Sequence, residues 1–214
     1  MSAPSSIATW VNRRLLQMMT LVGLTAVATF SVLSLMADGS YQALTGLVFG
    51  VSLFCCGLCS LLYEFSQTHP MRPVMRLLDH SAIFLLIAAT YTPFLISGTA
   101  YSDSIAMLRW VWGLAMTGIG LKLLLRHRYD KVFVILYLAL GWFFVASWSS
   151  FTAAIPARAL VLLVGGGVAY TLGAMIYWRG VGHWTDSIWH GFVLAGFLQH
   201  FAAVLSLHLV APMV

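Results

Sequence analysis

The sequence predicts an all-α integral membrane protein, a single bundle of seven transmembrane helices, and three observations carry that prediction. Hydrophobic residues make up 61% of the chain and charged residues 8%, where a soluble domain has about 25% charged. Such a surface cannot be covered with polar groups, so lipid has to be its solvent. The apolar residues fall into seven long runs, each close to the roughly 20 residues a helix needs to cross a hydrocarbon core of about 30 Å. Lysine and arginine gather in alternate connections between the runs, as in a chain threaded back and forth across a bilayer. The first apolar run is too long for the core of a signal peptide, and no small-residue cleavage site closes it.

The runs lie at roughly 13–36, 41–65, 76–98, 104–125, 131–148, 156–178 and 186–210. Asp38-Gly39-Ser40 parts the first two, and Thr68-His69-Pro70 with Pro73 parts the next pair. Ser97-Gly98 ends the third span, and the segment from Arg126 through His127 to Asp130 separates the fourth from the fifth. Pro156 opens the sixth, where proline suits the first turn of a helix. Arg179-Gly180-Val181-Gly182 separates the sixth from the seventh. Residues 1–12 read as a tail and 13–214 as one domain. Arg13, Arg14, Arg72, Arg76, Lys122, Arg126, Arg128, Lys131 and Arg179 fall on one side of the alternation, against Arg109 and Arg158 on the other. The positive-inside rule therefore predicts a cytoplasmic N-terminus and an external C-terminus. The net charge of +5 is mostly this signal. A nucleic-acid partner would need a soluble basic face, and none is expected.

Ionisable groups inside spans are costly and mark candidate functional positions. Glu64 closes span two, where a carboxylate faces the negative end of the helix dipole. It either snorkels to the interface or has a metal, cation or proton as partner. Asp79, near the start of span three, either satisfies first-turn N–H groups, pairs with Arg76, or belongs to a site. Asp186 and His190 open span seven four residues apart, on one helical face, a spacing that lets two side chains grip one metal ion. Asp186 alone reads equally well as a cap. Alternation brings all four to similar depth, and Ser60 lies one turn below Glu64 on the same face. A mostly carboxylate cluster without lysine or arginine inside it predicts a bound cation. His200, about 15 Å along the helix from His190, reads as a hydrogen-bonded packing residue, and His80 points away from Asp79. Cys55, Cys56 and Cys59 all lie in one apolar run and read as packing residues rather than a redox pair.

Three stretches carry a family resemblance. The run from Leu78 to Phe94, beginning Leu-Asp-His-Ser and ending Thr-Tyr-Thr-Pro-Phe, resembles the signature of the hemolysin III family, the bacterial branch of the progestin and adipoQ receptors. Leu136 to Trp142 is similar to a second family stretch, and Ile188 to Gly196, followed by His200-Phe201, to a third. The resemblance covers about residues 45–210, and the family's Glu/Asn/His-containing start is not seen in residues 1–25. It implies a seven-helix fold, a multi-pass protein of the bacterial inner membrane, and a zinc site near the cytoplasmic face. The family's histidine ligands fall at Glu64, Asp186 and His190, so one of three histidines is kept and carboxylates stand at the others. His69 is the alternative ligand if the helix end shifts. Carboxylates still bind zinc, but the harder set could favour manganese, iron or magnesium. The site could also have lost its metal, with Glu64 and Asp186 sharing a proton or meeting a basic group.

By resemblance to alkaline ceramidases, the family implies a metal-dependent hydrolase of lipid amides or related lipids. There Asp79 would take the proton of a metal-bound water and Ser60 would orient it or stabilise the oxyanion. A non-enzymatic, receptor-like sensor of membrane lipid, holding a lipid chain between its helices, is the alternative. An ion-coupled transporter is a third, although no repeat or paired broken helices support it.

Overall fold

The computed structural model describes residues 6–36, 41–96, 104–126 and 128–210. The Asp38-Gly39-Ser40 and Ser97-Gly98 breaks, His127 and the last four residues lie outside them. The chain forms α1 (Ser6–Met36), α2 (Tyr41–Phe65), α3 (Arg72–Ile96), α4 (Ser104–Leu125), α5 (Asp130–Gly141), α6 (Trp148–Ala154), α7 (Ala157–Arg179) and α8 (Thr185–Val210). Tight 3-10 turns at Phe143–Ser147 and Gly182–Trp184 lead into α6 and α8. Among the described residues seven segments are long and apolar enough to cross a membrane, as the sequence predicts. Two boundaries differ. α1 begins at Ser6, inside the segment read as a tail, because Ile7, Ala8 and Val11 continue its apolar face past Arg13 and Arg14. α3 begins at Arg72, so Asp79 lies two turns inside the helix, beyond the reach of a capping role.

The helices close into a ring. α1 packs on α2 and α8, α2 on α3, and α7 on α8, while α5 reaches both α3 and α7. α4 stands outside the ring against α3. Water is absent on both sides of such helices, so close packing rather than hydrophobic burial holds them. The α1–α2 seam shows how: a Cβ at Gly23 would fall 2.4 Å from Phe54 Cα, and one at Gly57 2.9 Å from the Thr20 nitrogen. Glycine lets the two backbones touch at both levels.

The fifth span is not the continuous helix that its hydropathy predicts. α5 stops at Gly141, after about 18 Å of rise, short of the full hydrocarbon thickness. Irregular backbone at that depth is tolerable only where protein satisfies it. Tyr91 of α3 does so: its hydroxyl lies 3.0 Å from Leu140 O and 2.9 Å from Gly141 O, and accepts the Phe144 N–H at 3.1 Å. At the opposite end of α5, Asp130 takes Arg76 of α3 on Oδ2 and Lys122 of α4 on Oδ1, each at 2.5 Å. Lys122 is 1% exposed, with its ammonium also over the Phe133 ring. One carboxylate thus ties three helix ends together. Arg76, a possible partner of Asp79 by sequence, is used here instead.

Candidate functional site at the polar end of an internal cavity

Inside the ring lies a cavity of about 400 Å³, within the size range of small-molecule sites. Its wall along α3 is Arg76, Asp79, His80, Ile83, Leu86, Ile87, Thr90, Tyr91 and Phe94. That is a helical stripe of spacing three and four, charged at one end and mostly apolar below, where the Thr90 and Tyr91 hydroxyls bond to backbone carbonyls. It extends about 27 Å along the helix axis, close to the full hydrocarbon thickness. A cavity of this volume and length is narrow, with room for one hydrocarbon chain rather than two abreast. Gly141, Trp142 and Phe144 also line it, so the break in α5 falls where the span borders the cavity.

All five residues singled out in the sequence, Ser60, Glu64, Asp79, Asp186 and His190, line the cavity's polar end. The Ser60 hydroxyl donates to Asp79 Oδ1 in a short hydrogen bond, with Cys56 O, 3.1 Å away, as the alternative acceptor for its one proton. The predicted catalytic pair is therefore in contact across α2 and α3. His80, set aside by sequence, also lines the cavity, with Nδ1 3.7 Å from Asp79 Oδ2 and donating to Arg76 O at 2.8 Å.

The residue that sequence reasoning missed is Asn12. It lies in α1, is buried, and lines the same wall. Its Nδ2 donates to Glu64 Oε2 at 3.2 Å, and its Oδ1 lies 2.7 Å from His190 Nδ1. An ionised carboxylate only accepts, so it fixes which end of the amide faces it. The amide oxygen then faces His190, whose Nδ1 must carry the proton. His190 Nε2 is left as an unprotonated acceptor. Arg13, one residue on, places Nε 3.4 Å from Glu64 Oε1. The expectation of a cluster free of lysine and arginine is thereby corrected: Arg13 caps Glu64, and Arg76 lines the cavity mouth. Asparagine in an apolar helix is the signal that could have found the site's fourth wall, since a buried amide needs partners.

These contacts test the predicted metal set of Glu64, Asp186 and His190. Among the described residues no three His, Cys, Asp or Glu side chains converge as a metal site. Both Glu64 oxygens are engaged, one by an amide and one by a guanidinium. An arginine on a carboxylate competes directly with a cation there. As arranged, the donors do not fit a three-ligand zinc centre. They match the other expected outcome for Glu64, a carboxylate meeting a basic group.

The fold and the site together define a multi-pass membrane protein built around a narrow cavity, mostly apolar along its length and with its charged groups at one end. The chain belongs to the family described as Haemolysin-III related, whose match runs over residues 10–201. It is 33% identical over 159 residues to a protein named Hemolysin-3 homolog from Bacillus subtilis (strain 168), covering 74% of each chain. It is 34% identical over 159 residues to Hemolysin-3 of Bacillus cereus, covering 74% of this chain and 72% of that one. A more distant relative is the human Monocyte to macrophage differentiation factor, 23% identical over 186 residues, 84% of this chain and 76% of that one. The family match begins at residue 10 and so includes Asn12. The match starts well before the residues 45–210 that carry the resemblance, and α1, within it, contributes to the site.

Proposed function

We propose that this protein is a receptor-like binder of a single-chain lipid in the bacterial inner membrane, with the lipid's polar head at the Asn12–Glu64–Asp79–His190 end. The observation that carries the reading is the shape and charge distribution of the cavity: about 400 Å³, elongated along α3, with its carboxylates and its arginine gathered at one end. A charged or polar head left in hydrocarbon costs several kcal/mol, so a ligand with one polar terminus has one favourable direction of entry. The basic residues at that end, Arg13, Arg76 and Lys122, favour the cytoplasmic face.

Hydrolysis of a lipid amide is the second reading, and the Ser60–Asp79 hydrogen bond favours it. Ser60, Asp79 and His190 line the same end of the cavity from α2, α3 and α8, and they are residue types that activate and stabilise in acyl transfer. In the metal-dependent form of this reading zinc would sit on Glu64, Asp186 and His190, which the present hydrogen bonds oppose.

The test is native mass spectrometry of the purified protein, with elemental analysis of the same sample. A retained single-chain lipid, lost in Cys56→Phe and Val193→Phe, which narrow the cavity from two walls, supports binding. Turnover of a lipid amide abolished by Asp79→Asn and Ser60→Ala would move the assignment to hydrolysis. A folded protein that retains no lipid and takes none up would sink the binding reading.

A further inference from the structure

The cavity wall contains a polar position that the head-end cluster does not explain. His200 of α8 lines the cavity about 15 Å along the helix from His190, near the middle of the membrane. Its Nε2 lies 3.1 Å from Leu163 O of α7. A carbonyl oxygen only accepts, so Nε2 carries the proton and the neutral ring's Nδ1 is a bare acceptor. Among the described residues no hydrogen bond is made to His200 Nδ1.

The ring is held against α7 at three points. Leu163 O fixes one nitrogen. Gly166 leaves the space the ring occupies, since a Cβ there would fall 2.3 Å from His200 Cδ2. Tyr170 packs edge-on to the imidazole, with centroids 5.2 Å apart and planes at 74°. The Tyr170 hydroxyl is itself buried without a hydrogen-bond partner. His200 is thus a lining residue whose second ring nitrogen makes no bond among the described residues, and an acceptor left without a partner is costly.

We propose that His200 forms a mid-depth subsite that accepts a hydrogen bond from a hydroxyl carried partway along the ligand's hydrocarbon chain. This rests on the reading of the cavity as a lipid site and narrows its ligand to hydroxylated chains. An extended chain advances about 1.25 Å per carbon, from ordinary bond lengths and angles. A span of about 15 Å therefore places the hydroxyl about twelve carbons from the head. A chain without it still fits but leaves Nδ1 unpaired or bound to a trapped water.

The experiment compares two non-hydrolysable probes on the full-length protein in nanodiscs: a straight eighteen-carbon alcohol, and the same alcohol with a second hydroxyl on its twelfth carbon. Competition against a fluorescent chain is the readout. The diol should bind about five-fold tighter, the worth of one ordinary net hydrogen bond. A diol hydroxylated at the sixth carbon should show no such gain. His200→Phe should lose the preference and still bind the plain alcohol, and Gly166→Ala, which displaces the ring, should weaken it. Equal affinity of plain and hydroxylated chains in the wild type would overturn the subsite while leaving the lipid cavity intact. A preference that survives in a folded His200→Phe protein would overturn it too. Failure of every chain to bind would overturn the cavity reading and the subsite with it.

Discussion

Asn12→Leu separates the roles that the amide joins, and its effect can be worked out from two distances. The amide donates to Glu64 at 3.2 Å and accepts from His190 at 2.7 Å. In a water-soluble protein a bond to a charged group is worth about 1.5–3 kcal/mol and a neutral one about 0.5–1.5 kcal/mol. Side-chain hydrogen bonds inside membrane proteins run lower, averaging about 0.6 and reaching about 1.7 kcal/mol. Leucine keeps the helix propensity and the bulk, so the loss expected is about 1–3 kcal/mol. Unfolding by SDS in mixed micelles measures it. A cycle with His190→Gln should give a coupling of about 0.5–2 kcal/mol, because each single change breaks the same bond. The sharper readout is the histidine tautomer. With Asn12 present, nitrogen NMR of His190 should show the proton on Nδ1, and Asn12→Leu should loosen that constraint, leaving the Asp186 backbone carbonyl as the other partner of the ring. A wild-type His190 protonated on Nε2 alone would refute the deduction, since the amide would then be turned and Glu64 would face its oxygen.

Three further changes probe the frame around the site. Tyr91→Phe removes the hydroxyl that serves Leu140 O, Gly141 O and Phe144 N–H at the break in α5, and should cost about 1–2 kcal/mol in the same unfolding assay. Lys122→Met takes one of two cations from Asp130. Because Arg76 remains and the aspartate is part-exposed, the loss should be about 1–2 kcal/mol, below that of a fully buried broken pair, and Arg76→Met in the same background should cost more than either change alone. Gly57→Leu forces α1 from α2, since even a Cβ there would fall 2.9 Å from the Thr20 nitrogen, and should lower the melting temperature in detergent more than Gly113→Leu, where a Cβ would meet nothing within 4 Å.

Much of this was legible because bilayer physics leaves few choices. Seven apolar runs became seven spans, and alternation brought Ser60, Glu64, Asp79, Asp186 and His190 to one end of one cavity. What stayed hidden depends on partners distant in sequence. The break at Gly141 is invisible to hydropathy, since Trp142, Phe143, Phe144 and Val145 are as apolar as a helix would be. It exists because Tyr91, some fifty residues away, satisfies the freed backbone. Asn12 was hidden by the arginines that follow it, which mark the start of the first span and leave Asn12 in the segment read as a tail. The helix runs through them because Arg13 has Glu64 to face and Arg14 lies over the Trp10 ring. Arg13 in turn answers the question that Glu64 raised as a carboxylate at the unfavourable end of a helix.

The same three side chains explain why the metal donors are incomplete and how they could be completed. Glu64 and His190 approach from α2 and α8 to within one amide group, because Asn12 bridges them. Asp186 and His190 share a face of α8 one turn apart. Asn12 thus links the two helix ends, and at position 64 a carboxylate already faced by Arg13 is a poor partner for a cation. Replacing Glu64→His and Asp186→His together removes the anion that holds Arg13. It offers three imidazoles at the positions where the family resemblance places its ligands. Asn12 would then keep its bond to His190 Nδ1 as an outer-sphere partner that aims Nε2 inward, the arrangement usual behind a metal-bound histidine. The double variant should retain about one zinc ion per chain after dialysis, should melt higher with zinc than without it, and should lose that gain when His190→Gln is added. A folded double variant that gains no zinc would show that the spacing of α2 and α8, rather than the carboxylates, sets this site apart from a three-histidine centre.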